Sequence, residues 1–370
     1  MTSTEKNPLE NTRKKFPVLH QYIYANTASA GLLSDDLMQW RQDHDLDYLI
    51  GGSDMKTKAM LEFLPEVRKT VAAFFGAKLE NTSLVQNFSV GLNLLLDGLN
   101  ANHNILLVDN DYPSVNWPFE CRDFSIFYAK QDAHLEENIY GMVKKHSISV
   151  LALSLVQWVN GLRIDMNFLK TLKRDFPDLI IIADGTQFCG TTDFNFQDSG
   201  IDVLGASGYK WLIGGYGNGF FLFKDSISKY FSLKTTGFNA AGGDVNKRDN
   251  IRLAKHLEPG HLDTLNFGSL KFSLEYLQSL GKRNISERLE EISKTAKESF
   301  SELGLLDETV KARTTHSTIF NISGDDGMFE SLKTKKVMCS QRGSGIRLSF
   351  HFYNTKSDIE AIVKILKTTR

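Results

Sequence analysis

The chain has 370 residues, 41% of them hydrophobic and 24% charged, and its 43 basic side chains stand against 44 acidic ones for a formal charge of -1. That length suits one large domain with a smaller companion, and a balance so near neutrality excludes a global field that would gather nucleic acid or anionic lipid. Small-molecule chemistry is the expectation that remains. The opening MTSTEKNPLENTRKKF is polar where a secretory signal needs an apolar core, and no run approaches the span of a membrane helix. Cys121, Cys189 and Cys339 are scattered, which suits reduced thiols better than a disulfide framework or a metal cluster. A cytoplasmic protein without membrane or nucleic-acid partners is expected.

From about residue 57, helical periodicity alternates with short apolar runs. TKAMLEFLPEVRKTVAAFFGA carries Met60, Phe63, Leu64, Val67, Val71, Phe74 and Phe75 at three-to-four spacing and predicts an amphipathic helix. SLVQN, NILLVDN, SVLALSLVQ, LIIIADG and VLGAS then read as strands apolar on both faces, with GNGFFLF as another candidate after the glycines at 214, 215 and 217. The alternation predicts an α/β fold with a mostly parallel sheet covered on both sides, its ligands collecting at the carboxyl ends of the strands. Residues 234 to 265 read as a polar connection, 267 to 303 as one long helix, and the remainder as a small α+β part. That part contains STIFNIS, a strand VMCSQ, GIRLSFHFY and a terminal helix near 356 to 368. The resulting division assigns 20–250 to a large domain, and 1–19 with 251–370 to a small one.

The most informative segment runs from 179 to 218. Asp184 ends the run LIIIA, and Lys210 follows VLGAS between apolar and small neighbours. A strand-end acid alone is often a turn or cap residue, and a lone lysine is usually a solvated charge. Together they match what pyridoxal chemistry requires. A carboxylate keeps a pyridine nitrogen protonated so that the ring accepts electrons, and an amine carries the cofactor and shuttles protons. The strand-to-helix passage SLVQNFSVGLN offers the Phe88 and Ser89 backbone amides and the Ser89 hydroxyl as a phosphate cradle, with a simple helix cap as the plainer reading of Ser89. An aromatic face is needed to fix the plane of the ring, and DNDYPSVNWPFE supplies Tyr112 first and Trp117 second, against the plainer reading that both pack an interface.

These residues resemble the class V aminotransferase-like family of fold type I enzymes that depend on pyridoxal 5'-phosphate, a group including cysteine desulfurases, selenocysteine lyases, kynureninases and isopenicillin-N-epimerase-like proteins. The matching pieces run from YIYANTASAG near residue 22 to GIRLSFHFYNT, nearly the whole chain. The resemblance implies a large cofactor-binding domain, with a mostly parallel seven-stranded-type sheet between helices, plus a small C-terminal α+β domain. It implies Lys210 as the Schiff-base lysine, Asp184 at the pyridine nitrogen and Gln187 at the ring hydroxyl. Ser207 and Tyr209 reach the phosphate from beside the lysine. Phe88 departs from the family, which usually has hydroxyl residues in that segment. Arg347 is similar to the arginine that grips a substrate α-carboxylate, a structural salt bridge being the alternative, with Ser29 and Arg342 as further substrate-binding candidates. His261 resembles the position from which a partner subunit reaches the phosphate, which implies a homodimer with shared sites.

Desulfurases of this family need a cysteine on a mobile loop well before the arginine, whereas Cys339 lies close upstream of Arg347 in a shorter segment. A kynureninase would need an aromatic pocket that the sequence does not display. Amino transfer and epimerisation both begin with removal of the α-proton by Lys210 and diverge in where it returns. An aminotransferase acting on a small amino acid or amine is the expected activity, with an epimerase and a desulfurase or selenocysteine lyase as alternatives. A catalytically silent dimeric binding module would be expected to lose Lys210 or Asp184, and both are present. A nucleotide-dependent dehydrogenase would need a glycine fingerprint after the first strand, which is absent.

Overall fold

The computed structural model describes residues 8, 9, 11–100 and 102–369, so part of the 1–19 segment assigned above lies outside the described residues. A short strand β1 (Ile23–Tyr24) precedes the central sheet. That sheet is built from β2 (Thr82–Val85), β3 (Asn104–Val108), β4 (Ser125–Ala129), β5 (Val150–Ser154), β6 (Ile180–Asp184), β7 (Val203–Ser207) and β8 (Gly219–Phe223). Its spatial order is β2-β8-β7-β6-β5-β3-β4, and only β8 runs antiparallel to its neighbours.

Successive side chains of these strands enter two different apolar layers. Leu106, Leu151, Ile181 and Leu204 face one layer; Ile105, Val150, Ile180 and Val203 face the other. Burial on both faces is why these runs lack polar alternation. The edge strand β4 escapes that description, because Ser125 and Tyr128 are exposed, and it has no counterpart among the strands read from the sequence. The predicted helix over 57–77 is present from Leu64 to Phe75, preceded by the short helix Asp54–Lys58 and a wider π-type turn at Ala59–Phe63.

The single helix expected over 267–303 is two helices, Thr264–Leu280 and Lys282–Glu302. Gly281 separates them at φ 84°, a left-handed conformation that costs a side-chain-bearing residue energy and here breaks the run. The first of the two packs Phe267, Leu270, Leu274 and Leu277 into the same layer as Val67 and Val71 of the helix Leu64–Phe75.

The C-terminal part forms its own core from β9 (Ile319–Ser323), β10 (Val337–Met338) and β12 (Gly345–Ser349), together with Ile292, Ala296 and Phe300, while β11 (Ser340–Arg342) is a largely exposed edge strand. Three strands make an antiparallel sheet in the order β11-β12-β9, while β10 pairs with β1. The run VMCSQ is therefore not one strand: it divides at Cys339 between two sheets. The closing helix Lys356–Thr368 begins with a reciprocal cap in which Thr355 accepts from the Asp358 amide and Asp358 accepts from that of Thr355.

Candidate active site

The parallel strands deliver their carboxyl ends to one edge of the sheet, and the residues picked out for chemistry gather there. Asp184 is the last residue of β6, and Lys210 lies three residues past the end of β7, the strand hydrogen-bonded to β6. Both side chains are buried, Lys210 to 6% exposure. Burial pushes the Asp184 carboxyl up to about 6, against the opposing pull of the Thr186 amide, which donates to Oδ1 at 2.8 Å, and of the Lys210 charge. Burial also lowers the Lys210 amine to about 8; Asp184 resists that fall, while Arg347 and Arg342 add to it. A titratable amine near neutrality beside a buried acid is an arrangement that structural stability alone would not favour.

Close backbone approach holds the lysine loop. The Gly31 amide donates to the Tyr209 carbonyl at 2.8 Å, and a Cβ on Gly31 would lie 2.0 Å from the Lys210 carbonyl oxygen, so no other residue fits there. Tyr112 begins the helix Pro113–Glu120 and turns its ring toward the lysine, whose Nζ lies 5.5 Å from the ring centroid. Tyr209 stands at the same distance and stacks on Tyr216 at 4.6 Å. The alternative aromatic, Trp117, is 62% exposed on the outer side of its helix and does not join them.

The cradle expected at Phe88 and Ser89 is assembled differently from the sequence reading. The Phe88 ring packs in the core, stacked on Phe221 at 5.6 Å, and its amide donates to Ser207 Oγ at 2.9 Å. Asn87, not Ser89, caps the helix Phe88–Leu96 by accepting from the Val90 amide. Capping by a neighbour leaves the Ser89 N–H and hydroxyl without a protein acceptor among the described residues, at a helix start suited to an anion. Ser207 joins this group, its own amide donating to Thr186 Oγ1 at 3.1 Å.

Gln187 is held at both ends: its Nε2 donates to the Ala28 carbonyl at 3.0 Å and its Oε1 accepts from the Trp211 indole at 2.7 Å. Arg347 lies in the middle of β12, buried, with no carboxylate partner among the described residues. Its guanidinium donates to the Trp158 carbonyl at 2.7 Å and to Ser29 Oγ at 2.6 Å, while Nε has no partner among the described residues. The alternative of a structural salt bridge is therefore not what the fold contains. Arg342 is exposed on β11, and His261 is exposed in a separate surface cavity of about 680 Å³ with His44, Tyr48 and Leu64. Within one chain His261 is not gathered with the lysine.

Three residues that sequence reasoning passed over belong here. Asp111 is buried beside Asp184 and accepts from the Tyr112 amide at 2.6 Å and the Ser154 amide at 2.7 Å, and burial raises its carboxyl. It lies three residues past NILLV, after Asp109, so the strand end points to this stretch but does not single out Asp111 from its neighbour. Trp158 meets Tyr112 edge to face at 5.7 Å, and the neighbouring Gln157 carboxamide, buried near Asp111, has no close hydrogen-bond partner at either end among the described residues. Nothing in SLVQWVNG marks those two apart from their place after a buried strand.

The chain matches the family described as aminotransferase class-V over residues 50–362. It belongs to that family. It is 22% identical over 364 residues to an uncharacterised aminotransferase, YcbU, of Bacillus subtilis strain 168, with 95% of each chain covered. It is 23% identical to an isopenicillin N epimerase of Amycolatopsis lactamdurans, covering 86% of this chain and 87% of that one. Among solved structures, the apo cysteine desulfurase of Thermococcus onnurineus NA1 superimposes with a TM-score of 0.84 at 20% identity, covering 99% of each chain. That likeness establishes the fold, pyridoxal-phosphate-dependent fold type I. Pyridoxal 5'-phosphate is the cofactor of the family, and the donor set fits it: a buried amine, a buried acid, an aromatic face and a free helix start, with the unsatisfied Gln157 carboxamide close by.

Proposed function

We propose that the protein is an aminotransferase acting at the α-carbon of a small amino acid or amine. The observation that carries this reading is the buried, uncompensated Arg347, whose charge is felt at the Lys210 amine, itself coupled to buried Asp184. When bound, pyridoxal phosphate supplies a ring that accepts electron density from the carbon bearing the substrate amine. Lys210 would hold it covalently and Tyr112 would lie against its face. Ser89, Ser207 and Tyr209 would receive the phosphate, with Gln187 at the ring hydroxyl.

The division of labour follows from the charges. Asp184 holds a proton at the ring nitrogen, a role that its burial beside Asp111 reinforces by disfavouring a lone carboxylate. Lys210, with its amine brought down to about 8, can take a proton from the substrate carbon and return it near neutral pH. Arg347 orients the substrate by its carboxylate, and Ser29 fixes the guanidinium plane.

Desulfurase chemistry is disfavoured by Cys339, which packs against the C-terminal core and whose thiol burial pushes up to about 12. A thiol so seldom ionised makes a poor nucleophile. We further propose a cytoplasmic homodimer. His261 and the apolar side chains of the helix Asp35–Gly51, with Leu49 and Ile50 at 78% and 85% exposure, support a face that a second copy covers. The domain boundary is proposed to lie near residue 251, with the helix Thr264–Leu280 packing back onto the layer of the large domain.

The reading is tested by incubating the cofactor-loaded protein with a panel of L-amino acids and analysing products by mass spectrometry. Formation of the keto acid with conversion of the cofactor to its amine form supports amino transfer. Sulfide, alanine or the inverted enantiomer as the sole product contradicts it.

A further inference from the structure

Arg342 and Arg347 occupy the two strands of one hairpin. In the β11–β12 ladder, Ser340 stands opposite Arg347 and Arg342 opposite Gly345. Directly paired residues, and residues two apart on a strand, project to the same side of a sheet, so both arginines lie on one face. The hairpin turn leans on the active-site wall: a Cβ on Gly343 would meet Val159 Cγ1 at 3.5 Å, and Val159 follows Trp158, whose carbonyl anchors Arg347.

The two guanidinium groups are held differently. Arg347 is buried and tied down; Arg342 is exposed and, among the described residues, donates only to the Gln341 carbonyl, at 2.8 Å. Neither has a carboxylate partner among the described residues, whereas Arg13 meets Asp358, Arg68 meets Glu258, Arg122 meets Asp97 and Arg313 meets Glu136. The charge of Arg342 reaches both Arg347 and Lys210 and disfavours protonation of each. Like charges on one face without a counter-ion repel, and an anion placed between them removes that repulsion. One α-carboxylate satisfies Arg347 and leaves Arg342 unanswered.

We propose that Arg342 forms a second anion subsite, so that the preferred substrates are amino acids whose side chains end in an anionic group. The inference rests on the proposed role of Arg347 as the α-carboxylate site. Arg342 is a specificity residue: it stands at the solvent side of Arg347, where the far end of a short side chain arrives. A carboxylate is the simplest group that a planar guanidinium takes up with two parallel hydrogen bonds, and a phosphate or sulfonate offers the same chemistry.

The test uses the cofactor-loaded protein and unreactive acids. Glutarate and succinate are titrated by calorimetry against butyrate, in the wild type and in Arg342→Gln, Arg342→Lys and Arg347→Gln. The wild type is expected to bind the dicarboxylates about tenfold tighter than the monocarboxylate, a preference lost in Arg342→Gln and largely kept in Arg342→Lys. In parallel, kcat/KM for L-aspartate, L-glutamate, L-cysteate and O-phospho-L-serine is taken relative to L-alanine, and that ratio falls in Arg342→Gln; the best of the four identifies the anion. A wild type without preference overturns the proposal. So does an Arg342→Gln protein that weakens mono- and dicarboxylates alike or releases cofactor. The binding arm needs no turnover, so a protein that discriminates between the acids without transferring an amine contradicts the proposed reaction and leaves the subsite standing.

Discussion

The Arg347 guanidinium donates to the Ser29 hydroxyl at 2.6 Å, joining the middle of a C-terminal strand to the turn that follows β1. Ser29 in turn donates to Asn26 Oδ1 at 2.8 Å, so the arginine is oriented by a relay of two short polar side chains. Its Nε is buried and has no partner among the described residues. Replacing Arg347 by Gln is expected to raise KM for an amino acid by about a hundredfold, as loss of a charge-assisted bidentate contact does, with a smaller change in kcat. Ser29→Ala is expected to raise KM by only a few fold. Steady-state kinetics of both variants check this, and equal effects would place the hydroxyl and not the charge at the centre of recognition.

Asp184→Asn removes the group proposed to keep the ring nitrogen protonated while leaving its shape. The variant is expected to retain visible absorbance from bound cofactor and to lose about a thousandfold in kcat. Lys210→Ala is expected to lose turnover altogether. Single-turnover absorbance measurements separate the two, because Asp184→Asn should still bind an amino acid with a spectral change.

The Lys210 amine is depressed from its ordinary value of 10.5 to about 8 in the folded chain. A depressed group contributes stability that is present above its unfolded value and is lost as pH falls through the folded one. At pH 7 the cofactor-free protein therefore pays for a buried charge. Lys210→Met is expected to raise its Tm there, and the gain is expected to shrink as pH rises from about 8 toward 10.5, where the native lysine is neutral in both states. Scanning calorimetry across that range reads the effect, and a gain independent of pH would assign it to packing.

Asp184 shows the opposite sign. Its folded value is raised from 3.8 to about 6, so its contribution is full below about 3.8 and is lost as pH rises through 6. Asp184→Asn is expected to stabilise the cofactor-free protein at pH 7 and to have little effect at pH 4, by the same calorimetric measurement.

Cys339 lies between two short strands of different sheets, with its thiol raised by burial. Cys339→Ser is expected to leave kcat/KM within about twofold, since a half-buried thiol packed against the C-terminal core serves as a small apolar residue. Abolished turnover in a folded variant would return the thiol to the chemistry.

Where both faces of an element were buried, the sequence was readable. The runs at 104, 150, 180 and 203 have no polar alternation because each side enters its own apolar layer, and they stand where the sequence placed them. The strand Ser125–Ala129 was invisible to that criterion, since an edge position keeps Ser125 and Tyr128 in solvent. Apolar residues recur on both sides of Gly281, at Leu277 and Leu280 and again at Ile285 and Leu289, so the pattern alone reads as one helix and does not report the break that a single left-handed glycine imposes. At the site, Asp184, Lys210 and Tyr112 were legible because strand ends fix where side chains converge. The orientation of Phe88 was not. Whether a helix's first residue faces the cleft or the core depends on a partner, here Phe221, remote in the chain.

Lys210 is the amine proposed to carry pyridoxal phosphate. The protein is loaded with the cofactor, treated with borohydride to fix it in place, and mapped by peptide mass spectrometry. One phosphopyridoxyl group per chain is expected, on the peptide containing Lys210, and none after Lys210→Ala. A label on another lysine, or scattered among surface lysines at equal yield, contradicts it.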